Sequence, residues 1–256
     1  MEAQRYPDDF DGIIAGSPAI WVTPSVTRII FESQIAQDEQ GNQILTPQSS
    51  EILHKAVMAA CDGLDGLKDG QIDNPRACTF DPGRLQCRAR QTDNCLTERQ
   101  VTVMRQLYRG PVDSEGKHLY PGGEPYGSEL QWAGPASFTA KGYTVAANQI
   151  KFMIYGGETH QDFNWRSWHP DKAALADLMD KGGFYNANKT DLSAFKQAGG
   201  KLIMWQGEAD NVSGSYFLLD YYQRVRDRMG GFAATDPFLR VYMMPGMYHC
   251  SGGYVP

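Results

Sequence analysis

The chain contains 256 residues, of which 41% are hydrophobic and 11% aromatic, and it carries a formal net charge of −6. This length allows one large domain with an insertion, and this composition excludes a disordered protein. The acidic balance, without any stripe of Lys and Arg, excludes a nucleic-acid-binding protein, and no stretch approaches the ~20 apolar residues of a membrane span.

The first twenty residues predict the end of a helix, a turn and a strand. Residues 1–6 include no apolar run and therefore cannot form a signal peptide. Pro7 breaks the helix, and the short apolar segment 10–15, which is closed by Gly16, is typical of a buried parallel strand.

Residues 23–189 differ in composition from the segments on either side, because they are rich in Gly, Asp, Asn and aromatic residues. Two helices are predicted within them. The first begins at Thr46 and Pro47, and the second begins with a capping box at residues 97–100 and ends at Gly110. The apolar face predicted for the first helix is Ile52, Leu53, Ala56, Val57 and Ala60. The long irregular segment 110–134 is typical of a loop that covers or shapes a site.

Regular structure resumes at Asp191, where a short helix leads to Gly199. Segment 201–206 predicts a strand, 215–229 a helix and 238–243 a second strand. The apolar side chains expected to face inward from this helix are Phe217, Leu218, Tyr221, Tyr222 and Val225. A strand, a helix and a strand at this spacing form a βαβ unit, so we expect an α/β fold with a parallel sheet.

Two of the predicted strands are followed by side chains suited to catalysis. Asp210 follows the first of them and His249 follows the second. In α/β-hydrolases the nucleophile, the acid and the histidine occur in this order, each after a strand. Either residue alone is ordinarily a turn or surface residue, but their joint placement favours a general base, His249, oriented by Asp210.

Four of the five cysteines cluster at Cys61, Cys78, Cys87 and Cys95, and Cys250 stands apart. Free thiols are one interpretation, whereas a zinc site lacks any C-x-x-C pair. Two local disulfides are the favoured interpretation, and they imply an oxidising compartment. Cys250 then has no partner.

The glycine-rich segment 61–73 contains several carboxylates. They either form a solvated acidic loop or serve as oxygen ligands for a hard cation such as Ca²⁺. Their spacing differs from that of an EF-hand.

Three segments carry a resemblance to a known family. Residues 4–19 resemble the segment that follows the nucleophile in the tannase and feruloyl esterase family, which also includes mono(2-hydroxyethyl) terephthalate hydrolase. Residues 207–210 resemble its acid loop, and residues 245–250 its histidine loop. The resemblance implies an α/β-hydrolase fold that is incomplete at its N-terminus, with residues 1–22 and 190–256 in the core and a large inserted lid, residues 23–189, that sets specificity.

The resemblance also implies a function and a location. The expected activity is hydrolysis of esters of phenolic or aromatic acids, a small-molecule substrate class, by a secreted or periplasmic serine-type carboxylic ester hydrolase with Asp210 and His249 in its triad. No serine of the sequence lies in a G-x-S-x-G elbow, so we expect the nucleophile upstream of Met1 and the chain to be a fragment that is inactive alone. The alternative is a non-catalytic, calcium-stabilised secreted module.

Further site residues follow only from the resemblance. It implies a Ca²⁺ site in the lid, formed by the side chains of Asp62, Asp65 and Asp69 and the main-chain carbonyls of Leu67 and Gln71, with Asp73 outside the set. It implies the disulfides Cys61–Cys78 and Cys87–Cys95, and it leaves Cys250 as the partner of a cysteine next to the nucleophile. The aromatic segment 163–169 is either a wall for the acyl group or packing between lid and core, and packing is favoured.

Overall fold

Three parallel strands form the sheet of the chain in a computed structural model, which describes residues 1–134, 137–156, 160 and 162–254. The strands are β1 (Gly12–Gly16), β2 (Lys201–Gly207) and β3 (Leu239–Met244). They lie in the order β1-β2-β3, with Ile13 opposite Leu202 and Met204 opposite Val241. The predicted parallel sheet is therefore present.

The described residues also form α-helices, before, between and within the segments that connect the strands. They are α1 (Glu2–Arg5), α2 (Val22–Ile35), α3 (Pro47–Cys61), α4 (Glu98–Arg109), α5 (Phe138–Asn148), α6 (Lys172–Gly182), α7 (Ser193–Gln197), α8 (Ser215–Met229) and α9 (Phe232–Thr235). A π-helical segment, Gln149–Ile154, continues α5. Short 3₁₀ turns occur at Asp62–Asp65, Pro75–Ala77, Pro82–Leu85, Glu129–Gln131 and Gly183–Tyr185.

Strand β1 is paired on one side only among the described residues, and it is not buried as the sequence predicted. The side chain of Ile14 is 74% exposed, and its neighbours in the strand are half-buried or exposed. An apolar run predicts a strand, but the burial of that strand depends on what covers its two faces and its second edge.

Both predicted helix starts in the middle of the chain are correct. Thr46 accepts a hydrogen bond from the Ser49 amide at the start of α3, and Thr97 accepts one from the Gln100 amide at the start of α4. The inward face of α3 is formed by Leu53, Val57, His54 and Cys61, whereas Ala60 is exposed. Helix α2 was not predicted, since its first turn has no side-chain cap.

In the part of the chain that the structure describes, buried apolar residues form three clusters. One lies around α3 and α4 and includes Trp132, and a second lies between α2, α5 and α6. The third packs the sheet against α8, with Leu218, Tyr221 and Val225 facing inward as predicted. The division of the chain into a core, 1–22 with 190–256, and an inserted lid, 23–189, stays a prediction.

The two predicted disulfides, Cys61–Cys78 and Cys87–Cys95, are both formed. Cys250 is a free, exposed thiol. Among the described residues, none of the helices is long and apolar enough to cross a membrane.

Candidate active site

The carboxyl ends of the three parallel strands meet at one edge of the sheet, where ligands bind in open α/β folds. Ser17 follows β1, Asp210 lies three residues after β2, and His249 lies five residues after β3. From here on, the acid loop is residues 208–213 and the histidine loop is residues 245–254, which extends the segments named from the sequence. The two loops are therefore neighbours.

Main-chain contacts hold these two loops together. The Glu208 amide donates to the Met244 carbonyl at 2.8 Å, and the Ala209 amide donates to the Met247 carbonyl at 3.1 Å. The histidine loop crosses so near the end of β2 that a Cβ atom on Gly207 would lie 2.2 Å from the Met247 carbonyl oxygen. A residue with a side chain at position 207 would therefore displace the loop that carries His249.

The carboxylate of Asp210 is fully buried, and both of its oxygens are hydrogen-bonded. Oδ1 accepts from the amides of Val212 at 2.8 Å and Ser213 at 3.0 Å. Oδ2 accepts from Gln206 Nε2 at 3.3 Å and lies 3.1 Å from His249 Nδ1. Because each oxygen has fixed partners, the carboxylate presents one defined edge to the imidazole.

The surroundings of His249 determine which of its nitrogens holds the proton. Nδ1 lies 3.1 Å from Asp210 Oδ2 and 3.3 Å from Ser213 Oγ. The Ser213 hydroxyl donates to the Ser17 carbonyl at 3.2 Å, so it can only accept from the imidazole. Both neighbours of Nδ1 are thus acceptors, and the neutral ring places its proton there. The lone pair of Nε2 is left free for a substrate or a nucleophile, and the described residues provide no hydrogen bond to it.

A cleft of about 330 Å³ opens beside His249. Its wall is formed by the loop after β1, by α2, by α5 with its π-helical continuation, and by the acid loop. The lining residues are Ser17, Ala19, Val22, Ser25, Ile29, Val145, Gln149, Val212, Ser213 and His249. None of these side chains is a lysine, an arginine or a carboxylate, so the cleft suits an uncharged group with an apolar body and polar substituents.

None of the described serines is placed as the nucleophile of a triad. Ser213 faces Nδ1 of His249, on the side of the ring that Asp210 occupies. Ser17 has a left-handed backbone with φ of 40°, but its hydroxyl is buried without a hydrogen-bond partner among the described residues.

The predicted calcium loop is closed by hydrogen bonds to its own main chain. Asp62 Oδ1 accepts from the amides of Asp69 and Gly70, Asp65 Oδ1 from that of Leu67, and Asp69 Oδ1 from that of Gln71. Within the described part of the chain, no three His, Cys, Asp or Glu side chains are grouped so as to hold a metal ion. The donor set is nevertheless oxygen only, as Ca²⁺ requires. Burial, together with the charges of Asp65 and Asp69, raises the pKa of Asp73.

The aromatic segment 163–169 packs away from the cleft. Trp165 stacks on Tyr143 with ring centroids 4.2 Å apart, and Phe163, Trp165 and Trp168 cover the apolar cluster of α2, α5 and α6. None of the three lines the cleft beside His249. Of the two interpretations left open by the sequence, these contacts agree with packing.

Two arginines next to the acid loop were not predicted as site residues. Arg28 on α2 is buried and contacts the carbonyls of Asn211 and Val212. Arg76 forms a bidentate ion pair with Glu208, with both N–O distances 2.7 Å. One feature of the sequence indicates that Arg28 is buried: it lies directly before the apolar residues Ile29 and Ile30.

Comparison with known proteins assigns the family. The sequence model of Tannase and feruloyl esterase matches residues 1–256. A probable feruloyl esterase B-2 of Neosartorya fischeri is 32% identical over 98% of this chain and 47% of its own length. The mono(2-hydroxyethyl) terephthalate hydrolase of Piscinibacter sakaiensis is 30% identical over 99% of this chain and 50% of its own.

A solved structure agrees with this assignment. The crystal structure of feruloyl esterase B from Aspergillus oryzae matches with a TM-score of 0.86 at 27% identity, over 100% of this chain and 51% of that one. The chain thus spans about half the length of the relatives that it matches. The chain belongs to the tannase and feruloyl esterase family.

Proposed function

We propose that the chain supplies the acid and the base of a serine-type carboxylic ester hydrolase that acts on esters of phenolic or aromatic acids. The observation that carries this proposal is the contact between Asp210 Oδ2 and His249 Nδ1 at 3.1 Å, which leaves Nε2 free at a cleft. The family relationship supports ester hydrolysis as the reaction.

The mechanism assigns one role to each residue. His249 Nε2 takes the proton of a serine hydroxyl as that oxygen attacks the ester carbonyl, and it later returns the proton to the leaving alcohol. Asp210 holds the Nδ1 tautomer and stabilises the imidazolium that forms. The acyl group is transferred to the serine and is then released by water.

We place this nucleophilic serine outside the 256 residues. Ser213 lies 3.3 Å from the base, but it faces the nitrogen that Asp210 already occupies. No serine of the sequence lies in a G-x-S-x-G elbow. On this proposal the 256-residue chain alone has no more than trace activity, since His249 has no nucleophile to activate.

The lining of the cleft supports an uncharged acyl group. Val22, Ile29 and Val145 offer apolar contacts for an aromatic ring, and Ser25 and Gln149 offer hydrogen bonds for phenolic hydroxyls. A free carboxylate on the acyl group would lose its hydration there without gaining a cationic partner. We therefore expect methyl ferulate or methyl gallate to be preferred over a terephthalate monoester.

The test of this function uses the longest reading frame that contains these residues in frame. Its protein should hydrolyse methyl ferulate or methyl gallate, and Asp210→Asn should lower kcat by about 10⁴-fold, as expected for a triad acid. His249→Gln should remove activity to a similar extent, while Ser251→Ala, two residues after the histidine in the sequence, should not. Normal turnover by the 256-residue chain, removed by mutating one of its own serines, would disprove the placement of the nucleophile. A longer protein without esterase activity would favour the non-catalytic, calcium-stabilised module.

We also propose that the loop closed by the Cys61–Cys78 disulfide binds Ca²⁺. Asp62, Asp65 and Asp69 would supply carboxylate oxygens, and Leu67 and Gln71 main-chain carbonyls. Asp65 and Asp69 each use only Oδ1 within the loop, and the crowding of negative charge near Asp73 is relieved by a cation. An ion held there would stabilise the loop by binding only the folded chain.

Chelation tests the calcium site. Excess EDTA should lower the unfolding temperature, and added Ca²⁺ should restore it. Asp65→Asn should remove the response to Ca²⁺, whereas Asp73→Asn, outside the ligand set, should retain it. A melting curve that EDTA leaves unchanged means that this segment is a solvated acidic loop.

The two disulfides support a secreted or periplasmic location for the protein.

A further inference from the structure

The acid loop presents Asp210 to His249 only while its main chain is folded back on itself. The amides of Val212 and Ser213 turn toward the Asp210 carboxylate and donate to it. The carbonyls of Asn211 and Val212 are then directed to other partners. Whatever holds these two carbonyls therefore holds the turn that fixes Asp210.

Arg28 of α2 holds both carbonyls. Its Nη1 donates to the Asn211 carbonyl at 3.0 Å, and its Nη2 donates to the Val212 carbonyl at 2.5 Å. The residue is only 2% exposed, so water does not compete for these contacts. A guanidinium can contact two successive carbonyls because its donors are set in a rigid plane, which an ammonium lacks.

Two buried carboxyl groups balance the charge of Arg28. Glu32 lies 2.8 Å from Nη1 and Glu124 lies 2.6 Å from the same nitrogen. Burial and the charge of Glu32 raise the pKa of Glu124 well above its usual range, and the charge of Asp210 adds to this shift. This shift favours the neutral form of Glu124, and a cluster with fewer buried charges is easier to bury.

We propose that Arg28 is a positioning residue, which fixes the acid loop in the conformation that brings Asp210 against His249. This inference rests on the proposed function and deepens it, since it names the group on which the acid depends. Arg28 contacts neither the imidazole nor the cleft. Its effect on the base passes through the main chain of residues 211–213.

The proposal is tested on the 256-residue chain by measuring the tautomer of His249, which requires no nucleophile. In ¹⁵N-labelled protein at about pH 8.5, where an ordinary imidazole is neutral, the two ring nitrogens report which of them carries the proton. We expect the Nδ1–H form to predominate in the wild type. His249→Gln assigns the signals, and Asp210→Asn should lower the ratio of the Nδ1–H to the Nε2–H form.

Arg28→Met should lower this ratio by about tenfold, because the loss of a charged hydrogen bond is worth at least that factor. Arg28→Lys keeps the charge beside Glu32 but cannot contact both carbonyls, so its ratio should be intermediate. Glu124→Gln keeps the shape of the side chain and an oxygen acceptor for Arg28, so it should leave the ratio unchanged. Leu53→Ala, in the core of α3 away from the acid loop, is the control for lost stability alone.

The outcomes separate the inference from the function on which it rests. If Arg28→Met and Arg28→Lys keep the wild-type tautomer while losing stability as Leu53→Ala does, Arg28 is only structural and the inference is overturned. If Arg28→Met does not fold, the comparison of Arg28→Lys with Leu53→Ala decides in the same way. If Asp210→Asn already leaves the tautomer unchanged in the presence of Arg28, the acid–base pair itself is wrong and the proposed function fails.

Discussion

Cys250 lies next to His249, at the tip of the histidine loop, with a left-handed backbone at φ of 60°. It is an exposed thiol, and the other four cysteines are paired. A thiol reagent under non-reducing, denaturing conditions should therefore modify one cysteine per chain, and peptide mapping should place it at Cys250. Cys250→Ser should leave none to modify. A peptide in which Cys250 is bridged to a cysteine of the segment 61–95 would contradict both the pairing and the assignment of the free thiol.

The exposed ion pair of Arg105 with Asp81 predicts a pH-dependent stability. Hydrogen bonds from Arg105 and from the Gly83 amide lower the pKa of Asp81 to about 2, from an ordinary value of 3.8. A carboxylate whose pKa is lower in the folded state stabilises the fold above its unfolded pKa, and it loses this effect as the pH falls toward the folded value.

Arg105→Met should accordingly lower the unfolding midpoint by about 2 °C at pH 6, a small effect because both side chains are half-exposed. The difference from wild type should shrink as the pH falls from about 4 to about 2. Arg109→Met, on the same helix without an ion pair among the described residues, serves as the control and should give a difference that does not vary over this interval. Thermal unfolding followed by circular dichroism at each pH measures both variants. An Arg105→Met difference that is constant down to pH 2 contradicts the assigned pair.

Within the candidate site, sequence reasoning singled out the residues that are marked by their position along the chain. Asp210 and His249 follow strands, and strand ends can be read from apolar runs and turn residues. Arg28 and Glu124 are 96 residues apart in sequence, and the sequence around either residue does not indicate the other as its partner. Their pairing depends on the packing of α2 against segment 110–134, which no local pattern encodes.

At the scale of single elements, the capping box of α4 is the clearest local determinant of structure. The Thr97 hydroxyl accepts from the Gln100 amide at 3.2 Å, and the Gln100 side chain accepts from the Thr97 amide at 3.0 Å. Thr97→Ala should destabilise the chain by about 1 kcal/mol, as measured by urea unfolding. Thr102→Ala, an exposed threonine within the same helix, should change the stability by less than about 0.5 kcal/mol. Equal losses from the two variants would rule out a specific effect of the cap.

Elements with strong end signals were predicted closely, and those without were missed. Helix α8 occupies 215–229 as predicted, because Gly214 and Gly230 flank an amphipathic run. Helix α2 has Trp21 at its N-cap position without a side-chain cap and was not identified. The predicted burial of β1 was wrong, since an apolar run contains no information on the neighbours of a strand.

At the scale of the whole molecule, the ion pair of Arg76 with Glu208 joins the disulfide-closed segment 61–78 to the acid loop. Glu208 is almost fully buried, whereas the Arg76 side chain is 36% exposed. The pair therefore connects two parts of the chain that are 132 residues apart in sequence. The hydrogen bonds that Arg76 donates to Glu208 raise the pKa of Arg76.

Removal of Arg76 alone should be costly, because it leaves a buried carboxylate unpaired. Arg76→Met should lower the free energy of unfolding by about 2 kcal/mol, a value reduced from that of a fully buried pair because of the exposure of Arg76. The double variant Arg76→Met with Glu208→Gln should lose less than the sum of the single variants. Urea unfolding of the four proteins measures this difference. Additive losses would mean that the two side chains do not interact in solution.

The unpaired edge of β1 has a consequence for the solubility of the purified chain. Among the described residues this strand pairs only with β2, and its face presents Ile14 at 74% exposure. An unpaired strand edge beside exposed apolar surface is a template for the addition of strands from other molecules. In concentrated solution the purified chain should therefore self-associate with a gain in β-structure, and Ile14→Lys should raise its solubility while leaving its melting behaviour intact.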